Sequence, residues 1–159
     1  MEKKTWKIAS ETMQALCQTR VERICRAGEM PVVTFASTSG QKYHFHGQCP
    51  LRLTWDGIVR LSVNDMFLPR EGVGEEDFDA EAEGRSRYDE CAEALEKQGL
   101  VVKRVTVSPY GDLELCFDNG ARMTVFTLGA NEDEEWRLID AEHKRHWVYH
   151  GNGSFGTEG

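Results

Sequence analysis

The chain has 159 residues, 40% of them hydrophobic and 29% charged, with a formal net charge of −8, a composition that fits one folded domain and not a disordered chain. No apolar run reaches the length of a membrane span, and Met1-Glu2-Lys3-Lys4-Thr5-Trp6 lacks the apolar stretch of a signal peptide, so the cytoplasm is the expected compartment. The acidic balance argues against binding nucleic acid or an anionic membrane, both of which need basic patches, and points to a basic partner.

In chain order, residues 10–16 read as a short helix with Ser10 as N-cap and with Met13, Leu16 and Cys17 facing inwards. Residues 19–27 fit two periods: Val21 and Ile24 extend the helical stripe to Gly28, whereas an internal match sets the segment against a strand, and strand is adopted. Short strands follow at 32–36, 43–46, 51–55 and 58–63, broken at Thr38-Ser39-Gly40, at 47–50 and at the hairpin pair Asp56-Gly57, so the first half reads as a meander.

Residues 69–84 hold three glycines and the acids Glu71, Glu75, Glu76, Asp77, Asp79, Glu81 and Glu83, with Phe78 as the one large apolar side chain, and read as an exposed loop or a disordered linker between the halves. Residues 85–98 form an amphipathic helix, with Tyr88, Cys91, Ala92 and Leu95 on one face and Gly99 as terminator. Strands are expected at 101–107, 112–117 and 121–127, the last two joined by Asp118-Asn119-Gly120, where Asn-Gly supplies the positive φ angles of a tight hairpin. Residues 136–139 and 146–149 make a final hairpin, and 151–159 a flexible tail.

The two halves echo each other. Leu16-Cys17-Gln18-Thr19-Arg20-Val21, then Val33-Thr34-Phe35 and Gly40, reads like Leu100-Val101-Val102-Lys103-Arg104-Val105, then Leu115-Cys116-Phe117 and Gly120; Leu51-Arg52-Leu53 stands where Trp136-Arg137-Leu138 stands, at a shift of about 80 to 85 residues. The expected fold is therefore α+β. Two tandem β-meander repeats, about 10–66 and 85–150, are joined by the acidic loop 69–84 within a single domain 1–159, with a short N-terminal helix and the 85–98 helix packed on the sheet.

Five scattered cysteines without a Cys-x-x-Cys pair argue against a disulfide framework and a structural zinc site, so packed, reduced thiols are expected. His44 and His46 share a strand face and Cys49 follows after a turn, which is the basis of an alternative reading as a metal or small-ligand site. The second repeat offers Thr124 and Phe126 in the corresponding places, and two surface histidines are the simpler reading. His143, His146 and His150 flank Lys144 and Arg145 and read as a surface cluster. No nucleophile elbow, phosphate loop or dinucleotide pattern occurs, so the expectation is a protein that is not an enzyme and takes no cofactor. Trp136, beside Arg137 and Leu138, is expected to anchor the core.

The run Gly-Asp-Leu-x-Leu-x-Phe-Asp-Asn-Gly-x-x-x-x-Val from Gly111 to Val125, followed by Glu134-Glu135-Trp136-Arg137-Leu138, resembles a family of small bacterial immunity proteins of polymorphic-toxin and contact-dependent growth-inhibition systems. Val33-Thr34-Phe35, Gly40 and Cys49-Pro50-Leu51-Arg52-Leu53 are similar to the weaker N-terminal portion of that family, and Thr38-Ser39-Gly40 departs from its Asp-Asn-Gly turn. The resemblance implies stoichiometric neutralisation of a cognate toxin C-terminal domain, in many such systems a basic nuclease. The acids expected to contact it are Glu75, Glu76, Asp77 and Asp79, with Glu132, Asp133 and Glu134. A monomer is expected, or a homodimer paired through a free edge strand.

Overall fold

The computed structural model describes residues 4–80 and 84–158; Met1, Glu2, Lys3, Glu81, Ala82, Glu83 and Gly159 lie outside them. Helix α1 (Thr5–Met13) leads into strands β1 (Arg20–Ala27), β2 (Met30–Ala36), β3 (Lys42–Gly47), β4 (Leu51–Trp55) and β5 (Ile58–Ser62). Helix α2 (Arg87–Glu96) leads into β6 (Val102–Val107), β7 (Leu113–Phe117), β8 (Arg122–Val125), β9 (Glu134–Asp140), β10 (Arg145–His150) and β11 (Phe155–Glu158). The result is α+β, mostly sheet: each repeat runs helix and then five strands, and β11 follows the second as an addition.

Those strands do not form two separate meanders. One sheet has the order β1-β2-β3-β9-β10-β11 and the other β5-β4-β8-β7-β6, so each repeat gives three strands to one sheet and its next two to the other. The first half is therefore not a continuous meander, because the chain changes sheet between β3 and β4. The seams are reciprocal: His46 pairs with Arg137 across β3–β9, and Arg52 pairs with Thr124 across β4–β8. Alternation explains the crossing, since each strand has one apolar face and two sheets are needed to bury both sets against each other. Phe35, Phe45, Trp136 and Leu138 from one sheet and Leu51, Leu53, Leu115 and Val125 from the other are all at most 2% exposed and share one continuous core.

The repeat extends to irregularities. A bulge between Val21 and Arg23 in β1 faces Phe35 and Thr34, and its counterpart between Val102 and Arg104 in β6 faces Phe117 and Cys116. Arg20 and Val101 bridge the two copies directly. The helices are exchanged as well. Gln14, just past α1, donates to the Val105 carbonyl of edge strand β6, while Glu96 of α2 accepts from the Ile24 amide of edge strand β1 and Tyr88 donates to the Cys25 carbonyl. Each helix thus seals an exposed edge in the opposite repeat, which removes a template for unwanted strand pairing.

Several local expectations change. Helix α1 begins at Thr5, not Ser10, because Ala9 and Met13, one turn apart, are the residues it buries completely; residues Gln14–Leu16 continue as a single 3-10 turn. Residues 20–27 are strand, as the repeat indicates. The Asn119-Gly120 turn is not a two-residue hairpin: the Gly120 amide donates to Phe117 and the Phe117 amide to Ala121, and only Gly120 has positive φ, at 90°. Ser37 to Gln41 makes the same three-residue loop with Gly40 at 88°, so Thr38-Ser39-Gly40 and Asp118-Asn119-Gly120 are one turn in two spellings. The expected tail contains β11, an edge strand paired with β10, whose Phe155 lies 5.9 Å from Trp136. The helix α2 begins at a capping box in which Ser86 and Asp89 exchange bonds, and Gly99 follows its end at φ 63°.

Candidate functional site

The acids expected to make contacts fall in two stretches, residues 75–79 and 132–134, each joined in the chain to one end of the six-stranded sheet. Arg26, near the end of β1, bonds both oxygens of Asp89 in the first turn of α2, so α2 starts beside the Gly28 turn. Glu71 is tied to that turn by its amide, which donates to Glu90, and the exposed acids Glu75, Glu76 and Asp77 form a single 3-10 turn between them and Asp79. The β1–β2 and β2–β3 registers carry the same end across to Gly47, and Gly47 pairs with Trp136 at the start of β9, immediately after Glu132, Asp133 and Glu134. The cations at this end are engaged: Arg26 with Asp89, and Arg137 with Glu134 and Glu158. Burial raises the Asp89 carboxyl, and the Arg26 guanidinium with the Ser86 amide more than offsets it, so its net shift is downward.

Glu134 differs from its neighbours. It is half-buried and accepts from Arg137, which also meets His146 at 2.7 Å, so it serves the sheet and leaves Glu132 and Asp133 as the exposed acids of that stretch. His150 donates from Nδ1 to the Glu132 carbonyl, and the Gly151 amide donates to the Asp133 carbonyl, pinning this stretch to the β10–β11 turn.

Beside it lies a feature absent from the sequence reading. The Trp136 indole N–H donates to the Gly111 carbonyl, and Tyr149 stacks on Trp136 at 5.3 Å and 9°. Gly111, at φ 86°, passes so close that an added Cβ would fall inside the Tyr149 ring. Glu135, only 5% exposed, takes the Gly129 and Leu128 amides on its two oxygens and lies near the buried Cys49 thiol. Asp112 takes the Thr127 amide at 2.8 Å and the Ser108 hydroxyl. An added Cβ would collide with Glu135 at Gly129 and with the Gly129 backbone at Gly151. Three segments therefore converge by close backbone approach, and Gly111, Gly129 and Gly151 were the signal for it in the sequence.

The alternative metal residues are not brought together. His44 and His46 stand on the outer sheet face, His44 bonding Thr34 through Nδ1 at 2.9 Å, while Cys49 is buried against Glu135. Burial, then His44 and Arg137, pushes the His46 imidazole below its ordinary range, so it stays neutral near pH 7. The Cys49 thiol is pushed up to about 12 by burial and then by Glu135 and Asp112, which keeps it protonated and a poor nucleophile. Among the described residues no three His, Cys, Asp or Glu side chains are grouped to hold a metal ion. His143 bonds Asp140 at 2.7 Å and His146 bonds Arg137, so the three C-terminal histidines serve separate contacts. Among the described residues no helix is long and apolar enough to cross a membrane.

In comparison with known proteins, no protein family, no curated protein and no solved structure matches the chain.

Proposed function

We propose that this protein is a stoichiometric binding protein for a basic protein domain, acting as an immunity protein that neutralises a cognate bacterial toxin domain without catalysing a reaction. The observation that carries the reading is that two acidic stretches, Glu75 to Asp79 and Glu132 to Asp133, are joined in the chain to one end of one sheet, the first through Glu71 at α2 and the second at the start of β9, where Arg26 and Arg137 are already engaged by acids of the chain itself. A surface of that kind raises the encounter rate with a cationic cleft and disfavours acidic or neutral competitors. A basic nuclease, whose cleft is shaped for phosphate, is the partner this chemistry fits.

The test is co-purification of the tagged full chain from its native host at low and moderate salt, followed by co-expression with whatever basic fragment is retained. Protection of cells from that fragment, lost when Glu75, Glu76, Asp77, Asp79, Glu132 and Asp133 are changed to Gln and Asn, is the expected result. Protection and complex formation unchanged by those six substitutions at physiological salt would sink the proposal.

A further inference from the structure

The cleft between the 109–112 turn, the 127–129 segment and the 151–153 turn has a volume of about 540 Å³, and Tyr110, Asp112, Thr127, Gly129, Tyr149 and Asn152 are among its walls. Its charge is one-sided. Asp112 stands in the wall and Glu135 lies directly behind Gly129, and neither carboxylate is paired with a Lys or Arg among the described residues. The hydrogen bonds they accept come from backbone amides and two hydroxyls, so the negative charge is solvated by dipoles and not cancelled.

Tyr149 is the second, independent observation. Its ring is held by Trp136 and the residue is only 2% exposed; its hydroxyl, at the cleft wall, is not a buried unsatisfied group but opens to the cleft, and it forms no hydrogen bond among the described residues. Burial raises its ionisation, and Asp112 and Glu135 raise it further, so the oxygen presents neutral lone pairs to whatever enters. The rim carries the third observation. Among the described residues Tyr110 at 79% and Leu128 at 76% are the most exposed of the large apolar side chains, and they stand on two of the segments that form the cleft. Exposed apolar groups around a polar, preformed socket are the arrangement of an interface anchor site.

We infer that this cleft receives an arginine side chain of the basic partner, with Asp112 and the Tyr149 hydroxyl accepting from the guanidinium and Tyr110 and Leu128 covering its stem. The inference rests on the basic-partner reading and locates its anchor. Arginine fits better than lysine because its planar fork donates several hydrogen bonds at once and its face packs on an aromatic ring such as Tyr110. Glu132 and Asp133, fixed beside the β10–β11 turn, add to the attraction without entering the cleft.

The test titrates the isotope-labelled full chain with hexa-arginine at low salt and follows backbone amide shifts by NMR, with hexa-citrulline as the neutral control. Expected are shifts centred on Gly129, Gly151 and Asn152, absent with citrulline. Tyr149→Phe, which keeps the stacked ring, should weaken binding at least about tenfold, the effect of losing one hydrogen bond to a charged group. Asn152→Lys, at an exposed position, should abolish the shifts by placing a competing cation at the mouth, and serves if Tyr149→Phe disturbs the fold. Shifts confined to residues 71–79, with both variants binding like the parent, would overturn the cleft and leave the basic-partner reading standing. No shift anywhere would overturn both, and equal binding of hexalysine would overturn the choice of arginine.

Discussion

The two acidic regions differ in how they are held. The 71–80 segment carries local backbone bonds, Val73 to Arg70, Asp77 to Gly74 and Phe78 to Glu75, and is tied to α2 through the Glu71 amide. The region around Asp112, Glu132 and Glu135 is locked by a tryptophan–tyrosine stack, an indole hydrogen bond and three close glycine approaches. Charge density in a sequence measures long-range attraction, whereas a specific contact also needs groups fixed before the partner arrives. The denser stretch is thus suited to steering and the sparser one to anchoring.

The largest expected effect falls on the locked region. Trp136→Ala removes a fully buried indole from the stack with Tyr149 and should destabilise the protein by about 3–5 kcal/mol in denaturant titration, where a loss under 1 would show the stack to be incidental. Gly111→Ala follows. Its positive φ alone costs roughly 1–3 kcal/mol for a side-chain-bearing residue, and the clash with Tyr149 adds to that, measurable as a lower midpoint of thermal unfolding. By contrast, changing Glu75, Glu76, Asp77 and Asp79 to Gln and Asn should leave folding stability within about 0.5 kcal/mol of the parent, because all four are exposed. A large loss there would erase the distinction between the two regions.

Two smaller effects sharpen it. His46 has a folded pKa below its ordinary value near 6.5, so its contribution is present above that value and is lost as pH falls through the lower folded one. Asp89 and Asp140 are also shifted down, so theirs is present above the ordinary carboxylate range and lost only in stronger acid. Stability against pH should therefore fall in two steps, and His46→Gln should remove the first. The Cys49 thiol should resist alkylation in the folded protein at about pH 8 and react once the protein is denatured, read by mass spectrometry.

Local patterns were legible where one period dominated. Leu113, Leu115 and Phe117 alternate along β7, and Tyr88, Ala92 and Leu95 mark the buried stripe of α2, so both elements could be read directly. β11 was hidden because Phe155-Gly156-Thr157-Glu158 offers one apolar residue and two of low strand preference, and it exists through pairing with β10. Helix α1 was placed late because Ser10 is a good cap by type, while packing of Ala9 and Met13 moved the start to Thr5. Spacing alone groups Cys49 with His44 and His46, yet the turn after β3 directs it to Glu135.

By itself the sequence determined the strand and helix periods, the repeat, the acidic balance and the glycines at which the backbone must turn, because these depend on residue type and near neighbours. Tertiary structure alone decided that each repeat is shared between two sheets, that each helix covers an edge strand of the opposite repeat, and that Asp112 and Tyr149 line one cleft with Glu135 behind its wall. Those arrangements depend on pairing between residues far apart in the chain, and an alternating strand specifies which face is buried without specifying which partner buries it.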